Sequence, residues 1–177
     1  MTREILNTAR LHLRRPRASD VEAVFHRYAS DPEVTKFLAW PTHQSLDDTR
    51  AFLAFSDAEW AKWPASAYLI YRKGDDALLG STGLSFGSAH EAATGYVFAR
   101  DAWGQGYATE TLSAMITLAR FLGVHRLSAG CHPDHHASIR VLEKCGFSLE
   151  ERVPRAAGFP NIAPDQTQDV LLFSCVP

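Results

Sequence analysis

The stretch "GYVFARDAWGQGYATET", residues 95–111, passes from a short apolar run to a helical pattern through two glycines one residue apart. Gly95 to Ala99 has the length and character of a strand. From Tyr107 the period changes, with Leu112, Met115, Ile116 and Ala119 on one face and Gly123 as the stop. Gly104 and Gly106 let backbone amides converge ahead of a helix N-terminus, where unpaired N–H groups and a partial positive charge face outward. The turn is therefore either a tight steric connection or an anion cradle suited to phosphate. Two nucleotide motifs are excluded. No G-x-x-x-x-G-K-[ST] is present, and the third position of a dinucleotide fingerprint is Thr109, with the next strand ending in "GCHPD".

Working outward, "RLHLRR" (10–15) alternates as a first strand, and "RASDVEAVFHRYASD" follows as a helix capped by Ser19 or Asp20. Pro32 and Pro41 bracket an irregular connection. Ser45 caps a second helix, whose apolar face runs through Phe52, Phe55 and Trp60. "SAYLIYRK" and "ALLGSTGLSFG" form two strands around the turn Gly74–Asp76, and "AATGYVFAR" forms a third. After the glycine turn and its helix come a strand at 125–131 and a helix in "HASIRVLEKCGF", with Ile139, Leu142 and Cys145 inward and Gly146 at its end. Phe147–Val153 and Asp169–Cys175 are the last strands, joined by a proline-containing loop. The expected architecture is one mixed α/β domain over 1–177, antiparallel in its first half, with a strand–helix–strand unit in its second.

Bulk properties narrow the function classes. The 177 residues suit one domain, and a formal net charge of −2 gives no case for nucleic acid as the main partner, although Arg10, Arg14, Arg15 and Arg17 cluster. Three cysteines do not make a disulfide framework and suit a reducing compartment. The N-terminal segment lacks a signal-like apolar stretch, and no run has the length of a membrane helix, so a cytoplasmic protein is expected.

"GYVFARDAWGQGYATE" and "HASIRVLEKCGF", at this separation, resemble the GNAT superfamily of acyl-CoA-dependent N-acetyltransferases. More narrowly they are similar to its Rim-type branch of ribosomal-protein N-terminal acetyltransferases. "ARLHLRRPRASDVEAVF" and "DPEVTKFLAW" extend the resemblance over nearly the whole chain. It implies a mostly antiparallel central sheet flanked by helices and split between the fourth and fifth strands. It implies acetyl-CoA as cosubstrate, with its pyrophosphate on Trp103, Gly104, Gln105, Gly106, Tyr107, Ala108 and Thr109. The pantetheine arm is implied to pair like an added strand with Val97, Phe98 and Ala99. The family's N-x-x-S motif maps onto His135 and Ser138, with histidine in place of asparagine.

Transfer from a thioester to an amine needs a proton acceptor, oxyanion donors and a proton for the departing thiolate. The resemblance implies the 97–99 amides as oxyanion donors and Ser138 as the proton donor or a cofactor contact. Where some relatives carry a glutamate this chain has Ala93, and where many carry an acidic tyrosine it has Leu142. Glu91, on the same strand face as Ala93, is the first candidate base, or else a solvated carboxylate; His90 and a water chain are others. Trp40 and Phe159, both beside prolines, are the candidate acceptor wall. The acceptor is a primary amine, on a protein N-terminus or a small molecule, and the assembly a monomer or homodimer. A rival reading is a non-catalytic acyl-CoA-binding or regulatory protein. Another is a metal module at "CHPDHH", but Cys131, His132, His135 and His136 do not match common zinc spacing, and no metal is expected.

Overall fold

The computed structural model describes residues 4–177. Eight strands form one sheet in the order β1-β2-β3-β4-β5-β6-β8-β7, made of β1 (Ile5–Asn7), β2 (Leu11–Arg14), β3 (Ala67–Arg72), β4 (Leu78–Phe86), β5 (Glu91–Phe98), β6 (Arg126–Cys131), β7 (Ser148–Phe159) and β8 (Ala163–Cys175). All neighbouring pairs are antiparallel except β5 and β6. The helices are α1 (Val21–Val24, continued by a wider π turn to Ala29), α2 (Pro32–Thr35), α3 (Leu46–Lys62), α4 (Tyr107–Phe121) and α5 (His136–Lys144). Consecutive buried residues of β3 show how the sheet divides the core. Tyr68 and Ile70 pack with Leu112, Met115 and Phe173 on one face, while Leu69 packs with Val24, Tyr28 and Val97 on the other.

β5 and β6 stay together for three pairs, Glu91 with Arg126, Ala92 with Leu127 and Ala93 with Ser128. Beyond them β6 keeps its ladder with β8, and β5 runs on to Phe98 held by β4 alone. This is the expected split. On its intact side β5 lies hard against β4: a Cβ on Gly80 would fall 1.9 Å from the Val97 carbonyl oxygen, so only glycine fits there.

Four expectations are corrected. A further strand, β1, pairs with β2 ahead of the expected first strand, and a short helix with Asp31 as its cap occupies part of the expected irregular connection. The buried face of α3 is Thr49, Leu53, Ser56 and Trp60, leaving Phe55 63% exposed. The start of α3, where Asp48 accepts from the amides of Gln44 and Ser45, sets that register. The expected proline loop before the last strand is a long hairpin, because β7 and β8 pair as far as Phe159 and Ala163. Pro154 is tolerated because β7 is an edge strand with a register shift between Val153 and Ala157, where Arg155 has φ +48°; Pro160 lies in the turn, and Pro164 lies where β8 has no neighbour but β7.

Candidate active site

The glycine turn is built as a cradle. Gly104 and Gly106 have φ of +72° and +78°, which turns the chain into α4 within a few residues. The first bond into the helix runs from the Glu110 amide to the Gly106 carbonyl, at 3.1 Å. The amides of Tyr107, Ala108 and Thr109 therefore have no partner within the helix. Arg10 braces the turn from just ahead of β2: its guanidinium donates to the Gln105 carbonyl (2.9 Å), pairs with Glu110 (2.7 Å) and lies 4.5 Å from the centre of the Tyr107 ring. Arg14 and Arg15 are also committed, to Asp20 and to Glu4 and Asp57, so the basic cluster of the sequence is largely a set of internal ion pairs.

The same turn touches the open edge of β5. The Trp103 indole N–H donates to the Phe98 carbonyl at 2.7 Å. The Ala99 amide donates back to Leu79 in β4 at 2.8 Å. Because an antiparallel ladder alternates, the Phe98 amide points to the split and those of Val97 and Ala99 point to β4. Of the expected 97–99 oxyanion donors, Phe98 is the one free to act, and Ala99 is spent.

Across the split stands α5. Ser138 Oγ lies 2.9 Å from the Tyr96 hydroxyl, which joins β5 to α5 over the gap. Burial pushes the Tyr96 phenol well above its ordinary value, partly offset by Ser138, so it stays protonated near neutrality. Burial likewise raises the Cys131 thiol, with Ser138 opposing. His135 starts α5 and stacks on Phe37 with ring centres 4.7 Å apart; burial pushes its imidazole down to about 4. His132 accepts the Asp134 amide on Nδ1 (3.1 Å), so its Nε2 carries the proton and donates to Gln168 Oε1 (2.8 Å). Among the described residues no group of three or more His, Cys, Asp or Glu is arranged to hold a metal.

A cavity of about 690 Å³ joins these parts. Tyr96, Val97, Cys131, His135 and Ser138 line one side; Trp40, His43, Phe52 and Phe55 line another, and Phe159 closes over it. The hairpin tip is fastened by Asn161. Its side chain accepts from the Thr42 amide (2.8 Å) and hydroxyl (3.1 Å) and donates to the carbonyls of Thr35 (2.7 Å) and Trp40 (2.9 Å). Trp40 and Phe159 thus meet at one cavity although they are far apart in sequence.

Glu91 does not reach the cavity. It sits exposed at the start of β5, where β6 still pairs, and the cavity opens only from Ala93 onward. His90 is also outside, stacked on His125 at 4.6 Å. The sequence did not point to Tyr96, His43 or Asn161. The Gly-Tyr alternation of β5 carried a signal for Tyr96; for His43 and Asn161 only the tertiary fold brings the partners together. His43 hydrogen-bonds Thr49 Oγ1 (2.8 Å), and burial lowers its pKa despite Asp48 nearby.

Comparison with known proteins agrees with this geometry. A family model described as "Acetyltransferase (GNAT) domain" matches residues 10–148. The uncharacterized N-acetyltransferase YoaA of Bacillus subtilis is 30% identical over 166 residues, 92% of this chain and 93% of that protein. A GNAT-family acetyltransferase from Bacillus anthracis superposes with a TM-score of 0.84 at 25% identity, covering 97% of this chain and 98% of the other. RimL, a ribosomal L7/L12 α-N-protein acetyltransferase solved with coenzyme A, superposes with a TM-score of 0.85 at 23% identity over 98% of both chains. The chain belongs to the GNAT acetyltransferase family.

Proposed function

We propose that residues 1–177 work as a single domain that moves the acetyl group of acetyl-CoA directly to a primary amine. One observation carries this: a single cavity runs along the β5–β6 split and holds the Ser138–Tyr96 pair, while the α4 N-terminus adjoins the same strand edge through Trp103. Acetyl-CoA is the cosubstrate and supplies an activated thioester. RimL, of the same fold, was solved with coenzyme A. The open β5 edge and the positive-φ glycines suit an extended amide arm and a pyrophosphate respectively.

The residues divide the work as follows. Trp103, Gly104, Gln105, Gly106, Tyr107, Ala108 and Thr109 hold the pyrophosphate, with His135 and Ser138 as further cofactor contacts. The arm lies along the edge from Val97 to Ala99, where Phe98 and the preceding Tyr96 turn their peptide groups to the split, and the Phe98 amide faces the developing oxyanion. Ser138, backed by the Tyr96 phenol, gives a proton to the leaving sulfur. His43 takes the proton from the attacking nitrogen, since it is a neutral imidazole lining the cavity and Glu91 is not there. Trp40 and Phe159 wall the acceptor, which is an amine on a protein N-terminus or a small molecule. Three free cysteines suit action in a reducing compartment.

The test is thiol release from acetyl-CoA with and without a panel of amines, alongside calorimetric binding of acetyl-CoA. Amine-dependent release supports transfer. Binding without any amine-dependent release overturns it in favour of a regulatory acyl-CoA-binding protein.

A further inference from the structure

The walls of the cavity carry no charge. Among the described residues that line it there is no Asp, Glu, Lys or Arg. Its polar side chains are hydroxyls, a thiol, the Trp40 indole and three histidines; burial lowers the pKa of two of the histidines, His43 and His135, which favours their neutral form. Its aromatic groups form two clusters: Phe37 stacks on His135 and lies 5.2 Å from His132, which Phe159 meets edge-on at 4.8 Å, while Trp40 lies 5.0 Å from His43. Of the charged side chains of the surrounding segments, Asp31 pairs with Arg100, Asp101 with Arg27, and Arg152 with Asp169, while Lys36 over the Phe37 ring, Asp134 beside His132 and Asp48 near His43 stand behind the lining residues and do not themselves line the cavity.

We infer that the acceptor is a monoamine on an uncharged, apolar or aromatic body. This deepens the transferase reading and rests on it. A second ammonium, as in a polyamine or an aminoglycoside, would enter a wall with no carboxylate to meet it. A free amino acid would bring a carboxylate to a wall with no guanidinium or ammonium. A single amine fits, because aromatic faces tolerate it while it is cationic and neutral imidazoles can receive its proton. Two sources present this chemistry: a free arylalkylamine, or the α-amino group of a peptide with an apolar first residue.

The experiment compares kcat/KM for 2-phenylethylamine, phenylalanine amide, a short amidated peptide beginning with phenylalanine, free phenylalanine and spermidine, all at saturating acetyl-CoA. The first three are expected to exceed the last two by at least a hundredfold, and the ratio of peptide to free amine tells the two sources apart. Equal or better turnover of spermidine or free phenylalanine overturns this acceptor class and leaves transfer intact. Absence of amine-dependent release with the whole panel overturns both. A second arm uses Ser85→Asp, which sets a carboxylate on an exposed β4 position lining the cavity. It is expected to raise spermidine kcat/KM at least tenfold; no gain in a folded variant overturns the claim that wall charge sets the choice.

Discussion

Replacing Asn161 with alanine tests whether the hairpin tip forms part of the acceptor site. The substitution removes four hydrogen bonds at once, two accepted from Thr42 and two donated to the carbonyls of Thr35 and Trp40. At a net 0.5–1.5 kcal/mol each they sum to about 2–6 kcal/mol. The freed groups can reach water when the tip lifts, so the lower end applies, about 2 kcal/mol, or roughly thirtyfold in the opening equilibrium of the tip. The core faces of the sheet do not depend on it, so the loss is local. Hydrogen exchange of the Ile162 amide, which bonds the Phe159 carbonyl at 2.9 Å, is expected to accelerate by a comparable factor. The KM for the amine is expected to rise several-fold or more as Phe159 and Trp40 lose their fixed spacing, with the KM for acetyl-CoA unchanged within twofold. Asn161→Asp is expected to do as much damage, because an oxygen then faces two carbonyls. Unchanged Ile162 protection together with an unchanged amine KM would refute the claim that this tip holds the acceptor wall.

Other outcomes are as definite. Ser138→Ala is expected to lower kcat about a hundredfold and Tyr96→Phe about tenfold; if only the KM for acetyl-CoA moves, Ser138 is a binding contact and not an acid. Gly106→Ala must hold φ near +78° but meets nothing closer than the end of Arg10 at 3.5 Å, so its cost is conformational, about 1 kcal/mol, read as a Tm lower by about 2–4 °C and a raised KM for acetyl-CoA. Gly80→Ala has no such room and is expected to cost about 3 kcal/mol or more, seen as loss of the cooperative melt by circular dichroism. His135, pushed down to about 4 by burial, binds fewer protons folded than unfolded between pH 4 and about 6.5. Its contribution is therefore full above that window and falls away through it on acidification, by up to about 3 kcal/mol; His135→Asn is expected to flatten this loss in urea titrations from pH 4 to 7.

The parts of this protein that were legible in its sequence are those decided over short distances. The glycine turn, α4, α5 and β5 each carry their own period and stop signals, and Gly123 and Gly146 take the positive φ expected of helix ends. Tertiary decisions were less legible. Phe55 looks like a core residue by composition, but the N-cap of α3 turns it outward to the cavity mouth. The β7–β8 hairpin was hidden because Pro154, Pro160 and Pro164 break the alternation of residues that nonetheless pair at a sheet edge. Glu91 has the right parity and the wrong position along its strand, and parity alone does not tell where two strands part.

The way the strands part also bears on self-association. A strand edge with unspent peptide groups recruits other chains, and among the described residues this sheet has four such edges, two outer and two along the split. The two outer ones are blunt: β1 spans only three residues and β7 carries Pro154 and a register shift. The other two are the sides of the split, β5 beyond Ala93 and β6 beyond Ser128; they face each other, overlooked by α5, and β5 is partly capped by the Trp103 indole. The protein thus keeps its longest unpaired edges facing one another inside the fold instead of on the outer rim of the sheet.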